Sequence, residues 1–269
     1  MSARCAWVGS LVGALALALL GACASRPRLV SSIPVTPSPK PELKEAAMYN
    51  VQLGIAYMER GELETAQAKL LRALKENPRD PDVHSALALL YERLGEPDQA
   101  GKEFHDAMRL APRDPDVSNN YAIFLCRTHR VTQGVKRLLA TAHDPLYATP
   151  EAAYTNAAVC LRSVHEDTQA THYLERAIAL RPSFSEAVFQ LANLEMTHGK
   201  LAAARARIER FMASYPATPE LLGLAVRVTR AQGDTDAERR YERTLRRDFP
   251  HSAEARALAS TPPALQPQG

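Results

Sequence analysis

The apolar positions of this chain fall into three regimes. Residues 6–20 form one apolar run without a charge, behind Arg4. A polar stretch dotted with Pro27, Pro34, Pro37, Pro39 and Pro41 follows. From about Ala47 the apolar residues recur three and four apart, as on amphipathic helices, and the whole pattern then repeats about every 34 residues. The first frame places Leu53, Gly54, Tyr57, Ala66, Leu70, Ala73 and Pro78. The second, from Pro81, places Leu87, Ala88, Tyr91, Ala100, Phe104, Ala107 and Pro112 in the same slots. The third, from Pro115, gives Tyr121, Ala122, Leu125, Gly134 and Leu138, then decays over 141–150. The fourth, from Glu151, gives Tyr154, Ala157, Ala158, Leu161, Ala170, Leu174, Ala177 and Pro182. The fifth, from Ser185, gives Val188, Leu191, Ala192, Ala204, Ile208 and Pro216. The sixth, near Thr218, gives Leu221, Leu224, Ala225, Ala237 and Tyr241, with Pro250 one place late.

Each slot has a physical task. Small residues at the eighth and twentieth positions let two helices of a hairpin approach closely. Large residues fill the space between hairpins, and the proline ends the second helix because it cannot continue the hydrogen-bond ladder. Gly61, Gly95, Gly199 and Gly233 fall in the turns, where a left-handed residue is needed. Six frames in near-constant register are the pattern of the tetratricopeptide repeat (TPR). The expected fold is all-α, a right-handed superhelical solenoid of about six hairpins over residues 45–252. Its repeats run at about 47–80, 81–114, 115–148, 151–184, 185–217 and 218–251. Such a solenoid offers an extended concave face. The positions expected to line it are Val51, Ile55, Ser85, Leu89, Asn119, Asn120, Ile123, Thr155, Asn156, Val159, Phe189 and Asn193. This is an apolar stripe edged with amides, suited to an amphipathic helix or an extended apolar peptide. It lacks the lysine, asparagine and arginine pattern with which some TPR proteins clamp a free carboxylate.

The ends read as an address. The run at 6–20 is too short to span a bilayer and ends in small residues, as an export signal does. Leu20-Gly21-Ala22-Cys23 has the form of a bacterial lipobox, which makes Cys23 the lipidated first residue after a signal at 1–22. The competing reading is ordinary cleavage after Ala24, since Ala22-Cys23-Ala24 is also an A-x-A site. Acyl chains on Cys23 satisfy the need for more than one chain in stable anchoring. Ala24, rather than aspartate, points to the outer membrane on its periplasmic face. Residues 23–44 read as a proline-rich tether, and residues 253–269 as a disordered tail.

Charge adds little: 33 basic residues face 30 acidic ones, interspersed along the helices, so nucleic acid is not called for. Cys126 and Cys160 remain as a pair in an oxidising compartment. They stand at positions twelve and ten of neighbouring first helices, which suits a disulfide across the weakest junction; the alternative is two buried free thiols. No Gly-rich phosphate loop, metal-ligand spacing or nucleophile elbow occurs. The expectation is a binding protein without cofactor or metal, not an enzyme.

Several segments carry a narrower resemblance. Ala47-Met48-Tyr49-Asn50-Val51-Gln52-Leu53-Gly54, the run Asn119-Asn120-Tyr121 to Phe124-Leu125-Cys126, and Asn156 with Cys160 resemble the type IV pilus biogenesis and stability lipoproteins, also described as pilotins of the pilus secretin. The likeness extends from the lipobox to about Pro250. Ala122 and Ala158 depart from it, standing where glycine is common. The resemblance implies a bridged cysteine pair and a lipoprotein on the inner leaflet of the outer membrane. It also implies a secretin subunit as partner, other pilus-assembly proteins besides, and membrane contact through the lipid alone. The other reading left by the sequence is a general periplasmic TPR adaptor for cell-wall enzymes.

Overall fold

A computed structural model describes residues 41–260, and among these there are thirteen helices and no strand. Twelve form six hairpins: α1 (Pro41–Glu59) with α2 (Leu63–Glu76), α3 (Pro81–Arg93) with α4 (Pro97–Leu110), and α5 (Pro115–Arg127) with α6 (Val131–Ala142). Then come α7 (Pro150–Arg162) with α8 (Asp167–Leu180), α9 (Ser185–Thr197) with α10 (Leu201–Ser214), and α11 (Pro219–Gln232) with α12 (Thr235–Asp248). A short α13 (Ala253–Ser260) closes the series. The protein is an all-α solenoid of TPR hairpins.

Local chemistry sets the helix ends. Proline opens α3, α5, α7 and α11, where its missing N–H would be unsatisfied in any case. Asp80 accepts from the Asp82 N–H at 3.0 Å, and Asp114 accepts from Asp116 at 2.9 Å and Val117 at 3.1 Å. The four turn glycines adopt φ between 71° and 77°. His129 and His165 hold the same left-handed geometry, at φ 62°, in the third and fourth turns.

Packing follows the small-residue slots. Ala88, Ala122, Ala158 and Ala192 meet Ala100, Ala170 and Ala204 in interiors where every one of them is fully buried. Leu70, Phe104, Leu138, Leu174 and Ile208 fill the large slot of five hairpins, all at 0 % exposure. In the third hairpin the small slot is Gly134: a Cβ there would meet the Ala122 carbonyl oxygen at 2.8 Å and the Cys126 sulfur. Successive first helices touch one another from α1 through α11, while successive second helices do not. The stack therefore curves with the first helices on its inner side.

Three expectations need correction. The tether was expected to reach residue 44, yet α1 starts at Pro41, because Glu42, Leu43, Lys44, Glu45 and Ala46 are good helix formers behind an N-terminal proline. The tail was expected to be disordered from 253, but residues 253–260 form α13. Ser252 starts it by accepting from the Ala255 N–H at 3.1 Å, and Ala255 and Leu258 pack on Leu222, Leu245 and Phe249. Leu53 occupies a slot that is core in the next repeat, where Leu87 is fully buried. It is itself 44 % exposed, since no hairpin precedes the first among the described residues. The signal at 1–22, Cys23, most of the tether and residues 261–269 lie outside the described residues.

Candidate functional site

The inner surface is built by one residue from each first helix at the same register. Ile55, Leu89, Ile123 and Val159 form a ladder across four hairpins; Ile55 and Val159 are exposed, and the middle two are half-buried. Beside this ladder the amides join: Asn156 donates to the Asn119 side-chain oxygen at 3.2 Å. One repeat further, Arg162 donates to the Gln190 oxygen at 2.6 Å. Asn120 and Asn193 are half-buried neighbours of the row. An apolar floor with amide and guanidinium groups alongside can take an extended backbone, whose own N–H and C=O need partners once desolvated.

Not every expected position belongs to this floor. Val51 is 9 % exposed and packs into the core with Ala47, Met58 and Leu70, because the second hairpin leans over it. Ser85 and Thr155 are also buried; Thr155 turns its hydroxyl back to the Glu151 carbonyl at 2.8 Å, whereas the Ser85 hydroxyl has no partner among the described residues. Phe189 stands apart from the ladder. It lines a cleft of about 400 Å³ at the far end with Gly223, Leu224, Arg227 and the α13 residue Glu254. Apart from Phe189, the cleft lies beyond the groove positions expected from the repeat. The missing signal was Gly223: it stands at the groove register of the sixth first helix, where a side chain would collide with Glu254 at 3.0 Å.

The margins of the groove carry charge. Asp82 and Asp116 are exposed at the starts of α3 and α5. Burial, and then the carboxylates of Asp80, Asp114 and Asp116, push the Asp82 carboxyl above its usual range. At the opposite margin burial raises the Glu92 carboxyl, against the pull of Arg127 at 3.4 Å. Cys126 and Cys160 meet sulfur to sulfur between α5 and α7, with Cα atoms 5.5 Å apart, a spacing suited to a disulfide. They stand close behind Ile123 and Val159, on the two inner helices that carry the third and fourth rungs of the ladder. Among the described residues no group of three or more His, Cys, Asp or Glu side chains is arranged to hold a metal, and no helix is long and apolar enough to cross a membrane.

Comparison with known proteins agrees with this architecture. Residues 54–95 match the TPR repeat family and residues 83–118 the tetratricopeptide repeat family. The type IV pilus assembly protein PilF of Pseudomonas aeruginosa is 28% identical over 210 residues, which cover 78% of this chain and 83% of that protein. The solved structure of Pseudomonas aeruginosa PilF aligns over 81% of this chain and 98% of its own, with a TM-score of 0.59. That of PilW, described as a widely conserved type IV pilus biogenesis factor, aligns over 80% and 98% at 28% identity, with a TM-score of 0.62.

Proposed function

We propose that this TPR relative of the type IV pilus biogenesis proteins is an outer-membrane lipoprotein that helps secretin subunits reach that membrane and assemble there, or stabilises the pili that pass through them. The similarity to PilF and PilW spans nearly all of the repeats, and it is the observation that carries the reading. The division of labour is physical rather than chemical. Lipid on Cys23 supplies the address, and residues 24–40 supply reach. The ladder Ile55, Leu89, Ile123 and Val159 supplies apolar burial for a partner segment, with Asn119, Asn120, Asn156 and Asn193 as backbone partners. Phe189 extends the apolar surface towards the last hairpin. A Cys126–Cys160 disulfide holds the third and fourth rungs, Ile123 and Val159, at fixed spacing, so less order has to be imposed when the partner binds.

The test is a gene deletion, followed by electrophoresis of unheated outer-membrane extracts probed for secretin. Loss of multimers is expected, with recovery by the wild-type gene and failure of Cys23→Ser to restore their membrane location. Normal multimers together with normal pili would refute the assignment and leave a general envelope adaptor as the working description.

A further inference from the structure

The second helix of the last hairpin carries a face that packing does not use. In α12, Ala237 and Leu245 are buried and Tyr241 half-buried, all on one side. At about 100° per residue, Arg239, Arg240, Arg243, Arg246 and Arg247 fall within an arc of about 120° on the opposite side. All five are exposed. The carboxylates of the same helix neutralise them only in part: exposed Asp236 shares the arc, one turn before Arg239 and Arg240. Glu238 and Glu242 are both held by Arg230 of α11, at 2.6 Å and 3.1 Å. Arg247 pairs with Asp248 at 2.6 Å, and Arg246 donates weakly to the Leu258 carbonyl at 3.4 Å. Arg240 contributes charge to Glu209 and Asp234. Arg239 and Arg243 have no hydrogen bond or ion pair among the described residues.

The wider distribution of charge points the same way. Residues 201–260 hold eleven arginines and no lysine against eight carboxylates, while residues 41–200 hold eighteen basic against twenty-two acidic side chains. Positive charge is thus gathered at one end of the solenoid. Guanidinium is suited to phosphate because its planar fork grips two oxygens at once, where an ammonium acts as a point charge. Arg239, Arg243 and Arg246 follow one line along the helix, about 10 Å from first to last. A line of forks on a convex helix meets a layer of phosphates more readily than it encloses a single one.

We propose that this arginine face is a second membrane contact, which docks the C-terminal end of the solenoid on the phosphodiester headgroups of an anionic lipid surface. The inference rests on the lipid-anchored reading above, since the anchor on Cys23 brings the arginines within reach of the bilayer. It adds an electrostatic contact to a membrane association that sequence analysis confined to the lipid. Each arginine near an anionic surface adds an attraction that fades over roughly one Debye length. With the chain already tethered, the second contact forms at a high effective concentration. An export signal makes phospholipid, rather than nucleic acid, the polyphosphate that the face would encounter.

The experiment uses the chain carrying Cys23→Ser, which has no lipid, and vesicles of phosphatidylcholine with or without phosphatidylglycerol. Co-sedimentation is expected with the phosphatidylglycerol vesicles only, and is expected to be reversed by salt. The triple variant Arg239→Glu, Arg243→Glu, Arg246→Glu should weaken partitioning roughly a hundredfold. A control of equal charge change far from the face, Arg79→Glu, Arg93→Glu, Arg113→Glu, should leave it nearly unchanged. Unchanged thermal unfolding of both variants shows that the fold is intact. Equal loss in both variants, equal binding to neutral vesicles, or tighter binding to a duplex DNA fragment than to anionic vesicles would overturn the proposal. Failure of the anchor reading is seen separately, as absence of labelled palmitate from the wild-type chain.

Discussion

A buried histidine–glutamate pair in the second hairpin makes stability depend on pH in a defined direction. His84 is 8 % exposed; its Nδ1 lies 2.7 Å from the Glu103 carboxylate and its Nε2 lies 3.1 Å from the Pro78 carbonyl. Both neighbours are acceptors, so both ring nitrogens must donate and the imidazolium is the form that fits. The hydrogen bond to Glu103 is the chief cause that raises the His84 pKa, against the opposing effect of burial. A raised histidine contributes stability that is fully present below its unfolded value, near 6.5, and that is lost as pH climbs through the folded value. A charge-assisted bond of this kind contributes about 2 kcal/mol. Glu103→Gln should therefore lower the urea midpoint by roughly 1 M in mildly acidic buffer, for a slope near 2 kcal/mol per M. The gap between wild type and variant should narrow in mildly alkaline buffer, where the wild-type ring gives up its second proton. A gap that widens with rising pH, or that stays constant across the range, would refute the assignment of an imidazolium at this site.

Four further outcomes follow from particular contacts. Gly134→Ala should destabilise by roughly 1–3 kcal/mol, because its Cβ meets backbone of α5. Gly101→Ala in α4 should instead stabilise by about 0.5–1 kcal/mol, since its Cβ meets only the Phe124 ring at 3.4 Å; thermal unfolding of both variants checks the signs. Replacing Cys126 and Cys160 by alanine should cost about 4 kcal/mol in the chain-entropy account of a link spanning 34 residues, and reductant should lower the unfolding midpoint of the wild type but not of the variant. Val159→Asp, at a side chain 42 % exposed on the inner face, should leave unfolding unchanged while abolishing secretin multimers in the extract assay; retained multimers would remove Val159 from the binding surface.

The periodicity made the hairpins legible almost to the residue, because each small or large slot answers to one packing distance. It failed where a residue's neighbours are not periodic. Leu53 has the composition of a core position, yet it is exposed because among the described residues no hairpin stacks ahead of it. Val51 and Ile55 are one helical turn apart, yet the lean of α3 buries the first and leaves the second open, an angle that no pattern of residue types records. His129 and His165 carry the turns that glycine makes elsewhere, so a search for glycine passes over them although the period of 34 would have found the first. Residues 253–260 are alanine-rich and capped by Ser252, but too short to hold a helix alone; packing on Leu222 and Leu245 completes it.

A repeating structure has no internal reason to stop. Any end surface resembles the interior face that would receive the next unit, and it invites another copy to stack there. α13 resolves this at one end. It covers Leu222 and Leu245, which are 1 % and 0 % exposed, and its outward residues Ala253, Arg256 and Ala257 are too small or too charged to template a further hairpin. At the opposite end Tyr49 and Leu53 stay 60 % and 44 % exposed, with no helix laid across them among the described residues. Among the described residues the two ends therefore differ: α13 covers the last hairpin, whereas the first presents Tyr49 and Leu53.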